Sequence, residues 1–182
     1  MKPASCAILT ATISVLAASG LRATMILPAS LDQCAEAAET VVRGVVESVE
    51  TRPAEGVVPV FTVTLVRIEE AFRETVSKAL VEVVTPGGEY GGIRARVPGA
   101  PEVGPAGTEV VLFLHPDDGR PRLTNVVFWQ GLYHVEEGRV RENGLPAPVF
   151  LDRVREAVAR TEAAASPDGK GRRAPVSLRG ER

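Results

Sequence analysis

Two histidines and a cysteine carry most of the chemistry this chain could do. His115 is followed by Pro116, Asp117 and Asp118, and His134 comes later in the sequence. Two imidazoles and a carboxylate can hold a zinc ion that activates water, so a metal-dependent hydrolase using His115 and His134 is one expectation. Their spacing matches no helix-borne metal motif, and no residue is assigned as a metal ligand or as catalytic. Cys34 with either histidine would form a thiol dyad, but its neighbours match no nucleophile signature. A small buried hydrophobe is the expected role for Cys34. No serine stands in a G-x-S-x-G setting. The acid pairs Glu69-Glu70, Asp117-Asp118 and Glu136-Glu137 are sequence neighbours, so on strands they face opposite ways and cannot cooperate.

The stretch PGGEYGG, residues 86–92, invites a phosphate test. A P-loop needs a Gly-Lys-Ser/Thr ending and a following helix, whereas Gly92 leads into Ile93 and Arg94 in an extended run. No cofactor is assigned. The glycines either supply positive φ angles in a hairpin or expose backbone and Tyr90 to a partner. Trp129, Gln130 and Tyr133 form the main aromatic cluster, expected over a barrel end with the tryptophan buried. Tyr90, Arg94 and Arg96 would suit an oligonucleotide platform, but an acidic body and an export leader argue against nucleic acid. The candidate interaction surface is therefore Gly87, Gly88, Tyr90, Arg94, Trp129 and Tyr133, and the expected partner is a protein or a cell-envelope component.

These residues need elements to position them. Ser30 and Gln33 form a capping-box pattern ahead of Leu31, Cys34, Ala37 and Ala38, which predicts a two-turn helix. From Thr40 the sequence turns β-branched. Strands are predicted at 40–51, 57–70, 79–85, 108–114, 122–129, 131–136 and 139–142, with 71–78 either a helical turn or a loop. Gly44 in the first strand marks a bulge or bend that would let one strand serve both sides of a small barrel. Residues 108–114 are apolar on both faces and read as a central buried strand. Helical period returns at Phe150, Leu151, Val154, Val158 and Thr161, with Pro148 near the start. The fold class is mainly β: a small, partly open antiparallel β-barrel of OB-like type with an N-terminal and a C-terminal helix, or alternatively a two-sheet β-sandwich.

The start of the chain gives its address. Lys2, the apolar run Cys6 to Ala18 and the small residues Ser19, Gly20 and Ala23 form a secretory signal pattern over 1–23. That run is too short to favour a permanent span, so no transmembrane anchor is expected after cleavage. The expected location is periplasmic or extracellular. Cleavage leaves 19 basic against 23 acidic side chains, and Cys34 without a cysteine partner. The domain plan is a signal peptide at 1–23, a β-barrel domain at 24–146, a helix at 147–165 and a disordered basic tail at 166–182.

The ordered segments VVRGVVESVETR, VVTPGGEYGG, VPGAP, GTEVVLFL and WQGLYHV resemble a family of uncharacterised exported bacterial β-rich proteins over about residues 38–136. The likeness implies a small secreted β domain and carries no catalytic residue. A more distant likeness is to netrin-like modules, which have an OB-type barrel and include metalloprotease inhibitors. Those modules rely on cysteine pairs, and their inhibitors present an N-terminal cysteine to the metal; here Cys34 stands by itself. The expected function is a non-enzymatic exported binding or accessory domain, with a metal-dependent hydrolase or a secreted metalloprotease inhibitor or chaperone as alternatives.

Overall fold

The β-branched run that begins at Thr40 does form strands. The computed structural model describes residues 28–55, 58–73, 79–117 and 120–165; the leader at 1–23 and the tail at 166–182 lie outside them. In order the elements are α1 (Leu31–Ala37), β1 (Thr40–Pro53), β2 (Val60–Arg73), β3 (Leu80–Pro86), β4 (Gly88–Tyr90), β5 (Ile93–Ala95), β6 (Glu109–Asp117), β7 (Arg120–Val126), a 3-10 turn (Val127–Trp129), β8 (Leu132–Glu136), β9 (Arg139–Val140) and α2 (Ala147–Ala165). The segment left ambiguous at 71–78 continues β2 as far as Arg73. Among the described residues, no helix is long and apolar enough to cross a membrane.

The pairings run around a ring: β1 with β2, β2 with β3, β3 with β7, β7 with β6, and β6 back to β1. Four of these ladders are antiparallel. The β3–β7 ladder is parallel and rests on two residue pairs, Val83 with Thr124 and Val84 with Asn125. So brief a seam leaves the wall a partly open OB-like barrel, not a closed one and not a two-sheet sandwich. The other ladders are antiparallel, as the sequence reading expects, and this seam is the parallel exception. Parallel neighbours need a long crossover, and the chain from Gly87 through β6 supplies it.

Gly44 is what allows β1 to be shared. A β-carbon there would lie 2.3 Å from the Arg67 carbonyl oxygen and 2.8 Å from Val66 Cγ1, so β2 presses directly onto the glycine. The β1–β2 register shifts beside it, between Arg43 and Gly44, and again between Val46 and Ser48. Residues Thr40 to Val45 meanwhile pair with β6 on the other edge. The bend expected at this glycine is present.

Two apolar clusters use opposite faces of the wall. Val42, Val46, Val66, Val83, Val110, Leu112, Leu114, Val126 and Leu132 fill the barrel, joined by Val103 from the loop before β6. Val41, Val111 and Phe113 point outward and are covered by Cys34 and Ala35 of α1 and by Phe150, Leu151, Val154, Ala157 and Val158 of α2. Strand β6 is thus buried on both faces, as its unbroken apolar run predicts. The capping box forms as expected: Ser30 Oγ accepts from the Gln33 amide at 3.2 Å, and Gln33 Oε1 accepts from the Ser30 amide at 2.8 Å. Arg73, at the far end of β2, donates to the carbonyls of Ala38 in the cap of α1 (3.1 Å) and Val158 in α2 (3.3 Å), fixing the two helices to the strand that runs beneath them.

Substituting Gly44→Ala drives the new methyl into the Arg67 backbone carbonyl, which cannot swing aside as a flexible side chain would. The expected result is a loss of about 1–3 kcal/mol, the usual cost of overpacking. Urea unfolding should show it as a lower midpoint at an unchanged slope.

Candidate functional site

The register shift between Val46 and Ser48 has a local consequence. A one-residue slip exchanges the faces of a strand. Beyond it Val49 lies opposite Thr64 and Thr51 opposite Thr62, so these β1 residues join the inward face of β2. Thr62 in turn lies opposite Thr85 of β3. Val49, Thr62, Thr64 and Thr85 thereby floor a groove of about 820 Å³ at the mouth of the barrel. One wall is the base of the β4–β5 hairpin, and the other is the chain from Ala100 to Pro105.

The hairpin is seated on that floor through its glycines. Gly87 and Gly88 have φ of 105° and 129°, a region that glycine occupies freely. The Gly87 amide donates to the Val60 carbonyl at 2.9 Å, the Thr62 hydroxyl donates to the Gly87 carbonyl at 2.9 Å, and the Thr51 hydroxyl donates to the Glu89 carbonyl at 2.6 Å. A β-carbon on Gly88 would meet Thr51 Cγ2 at 2.7 Å and Thr62 Oγ1 at 2.8 Å. These contacts hold the hairpin flat against the threonines. The hairpin reading of the glycines therefore stands, and Tyr90 and Ile93 are presented outward as an exposed pair at its tip. Below them Arg94 grips Glu89 through Nε at 3.0 Å and Nη2 at 2.7 Å.

The six residues singled out from the sequence separate into three places. Gly87, Gly88 and Arg94 line the groove, with Tyr90 beyond its edge. Trp129 is 44% exposed, not buried, and adopts φ 58° in the 3-10 turn. Tyr133 packs under α2, with ring centroids 6.0 Å from Phe113 and 4.7 Å from Phe150. The floor threonines and Val49 were not singled out. Their signal was the polar alternation at 62 and 64, whose inward direction depends on the slip in β1.

The histidines lie at opposite ends of β6, His115 within it and His134 beside it on β8. His134 pairs with Val110 and His115 pairs with Asn125, so five strand steps, about 17 Å, lie between their positions along β6. They do not converge on one ion. His115 Nδ1 is 2.9 Å from the Pro116 carbonyl. His134 is 3% exposed; Nδ1 meets Glu142 Oε1 at 2.6 Å and Arg141 Nη2 at 2.7 Å, while Nε2 meets the Glu102 carbonyl at 3.0 Å. Its own backbone amide also donates to Glu142 Oε2 at 2.9 Å. Among the described residues, no group of three or more histidine, cysteine or acidic side chains is placed to hold a metal ion.

Cys34 lies fully buried beneath the helices. Burial disfavours its thiolate and pushes the thiol up to about 11. The same cause, followed by the nearby Cys34 and Glu142, pushes the Tyr133 phenol up to about 12. Both groups resist ionisation where they sit.

No protein-family model and no curated protein matches the chain.

The raised values fix how stability changes in alkali. In the unfolded chain Cys34 ionises near 9 and Tyr133 near 10, before either does so in the folded protein. Between those values and the folded ones the unfolded state holds fewer protons, so stability falls as pH rises from about 9 to 12. Urea midpoints measured across this window should decline. Tyr133→Phe should flatten the part above pH 10, and the Cys34 thiol should react with a disulfide reagent at pH 8 only after unfolding.

Proposed function

We propose that this chain is an exported accessory domain that binds an extended segment of another protein or of an envelope component in the barrel-mouth groove. The observation that carries the reading is the union of that groove with an open strand edge. Strand β1 leaves β6 after Val45, and Val46 makes its last bonds to that side through Thr108 and Gly107. Beyond this point β1 keeps a ladder to β2 alone among the described residues, down to Pro53. An extended chain laid there would follow the line that β6 vacates and bond main chain to main chain, while its alternate side chains entered the groove. Val49, 46% exposed, stands where the open edge meets the floor.

The leader pattern at 1–23 supports an exported setting, and the acidic balance of the body supports a protein partner over nucleic acid. The groove also carries two of the segments on which the resemblance to exported β-rich proteins rests, since PGG at 86–88 and VPGAP at 97–101 both contribute to its walls.

A photo-crosslinking residue in place of Val49 tests the reading in the native exported fraction. It should capture a polypeptide, whereas the same residue at Val149, exposed on α2, should not. Ala100→Trp fills the groove and should abolish capture without lowering thermal stability. Capture that survives Ala100→Trp, or equal capture at Val149, would count against the groove as the site.

A further inference from the structure

We propose that His134 is the fastener of a strap. The strap is the chain from Pro98 to Gly104, which from Ala100 onward lines one wall of the groove, and the fastening is the bond from His134 Nε2 to the Glu102 carbonyl. The inference deepens the binding reading by naming what sets the groove's width; only that consequence rests on the reading.

Residues 98–104 contain no helix or strand. Two ties hold them down. Val103 drops into the barrel core, 3% exposed, among the apolar side chains that fill it. Next to it the Glu102 carbonyl receives His134 Nε2 at 3.0 Å. Among the described residues, this is the hydrogen bond that joins 98–104 to the rest of the wall; the Ala100 amide bonds only back to Val97.

A carbonyl oxygen can only accept, so the bond requires a proton on Nε2. Glu142 Oε1 lies 2.6 Å from Nδ1, so both acceptors are met at once when Nδ1 donates to the Glu142 carboxylate and Nε2 donates to the strap. Arg141 lies over the ring, its Nη2 2.7 Å from Nδ1 and 3.4 Å from Nε2, and faces Glu142 Oε1 at 3.4 Å. Glu136, which meets Arg141 Nη1 at 3.2 Å, steadies the guanidinium from β8. With Nδ1 given to Glu142, Nε2 is left to hold the strap, and the groove's width depends on Val103 and this bond together.

Paired substitutions separate the two ring nitrogens. The amide of His134→Gln reaches about where Nε2 lies and can still donate to Glu102, whereas that of His134→Asn reaches only about as far as Nδ1. Amide hydrogen exchange of the strap is the readout and needs no ligand. His134→Asn should speed exchange in 98–104 by about tenfold or more while amides of β1 and β6 keep their rates, and His134→Gln should restore most of the protection. Equal strap exchange in wild type and His134→Asn overturns the proposal, as does equal loosening in both variants. Should the variants fail to fold, the wild-type ring decides. An exchange-protected proton on Nε2 supports the clasp, and a freely exchanging one overturns it. Failure here leaves the crosslinking result at Val49 untouched, and absence of capture at Val49 leaves the clasp untouched.

Discussion

A single missing side chain lets this wall curve. At Gly44 the backbone of β2 comes so close that any β-carbon would strike the Arg67 carbonyl. That contact, with the register shifts around it, turns β1 so that its first half can serve β6 and its whole length can serve β2. The barrel follows from the sharing, since a straight strand would give an open sheet with β6 at one side. The groove follows as well. The slip after Val46 turns Val49 and Thr51 inward over the part of β1 that β6 no longer covers, so the bend that nearly closes the barrel also leaves its mouth lined and open.

The other face of the wall is closed by helices, and the method is ordinary packing reinforced at one end. Alternation along β6 sends Val110, Leu112 and Leu114 into the barrel and Val111 and Phe113 toward α1 and α2. Helix α1 is too short to stand alone in water, so its apolar side must dock to persist. Cys34 and Ala35 do this, and Arg73 ties the end of α1 to α2 through backbone carbonyls. A guanidinium bonded to the C-cap carbonyl of α1 sits where that helix's dipole favours positive charge. The same cover keeps Tyr133 and Cys34 neutral, which places them in the structural half of the molecule, away from the groove.

Much of this was legible in the residues because the features concerned are local. The Ser30/Gln33 box, the glycine in β1, the two-faced apolar run of β6 and the 3.6-residue period of α2 each act within a few residues of themselves. What escaped depends on contacts distant in sequence. The parallel β3–β7 seam is fixed by closure of the ring, not by anything in either strand. Trp129 is exposed because the 3-10 turn places it at positive φ, a choice that no periodicity announces. The inward direction of Thr62 and Thr64 was hidden because it depends on a slip in the neighbouring strand. Glu142 could have been found as a partner of His134: the Glu137-Gly138 turn folds β9 onto β8 and brings the residues after β9 alongside it. The Glu102 carbonyl could not, since nothing in a loop sequence says which backbone oxygen a ring will meet.

The groove's chemistry limits how it can select a partner. Two of its charged residues, Arg94 and Glu89, are spent on each other, and exposed pairs of this kind contribute about 0–1 kcal/mol. A ligand that competed for one of them would gain little and strand the other. Threonine hydroxyls on the floor are already used in part to seat the hairpin. Besides Arg96 and Glu102, which also line the groove, discrimination comes from shape, from main-chain bonds along β1 and from the spacing between hairpin and strap. Shape selects only when the walls keep their positions. The hairpin wall is pinned by glycines pressed onto threonines, whereas the strap wall has one valine and one imidazole to hold it. Under the binding reading, the less firmly held wall is the one whose position a partner would have to change, and the buried histidine behind it becomes part of the recognition surface without touching the ligand.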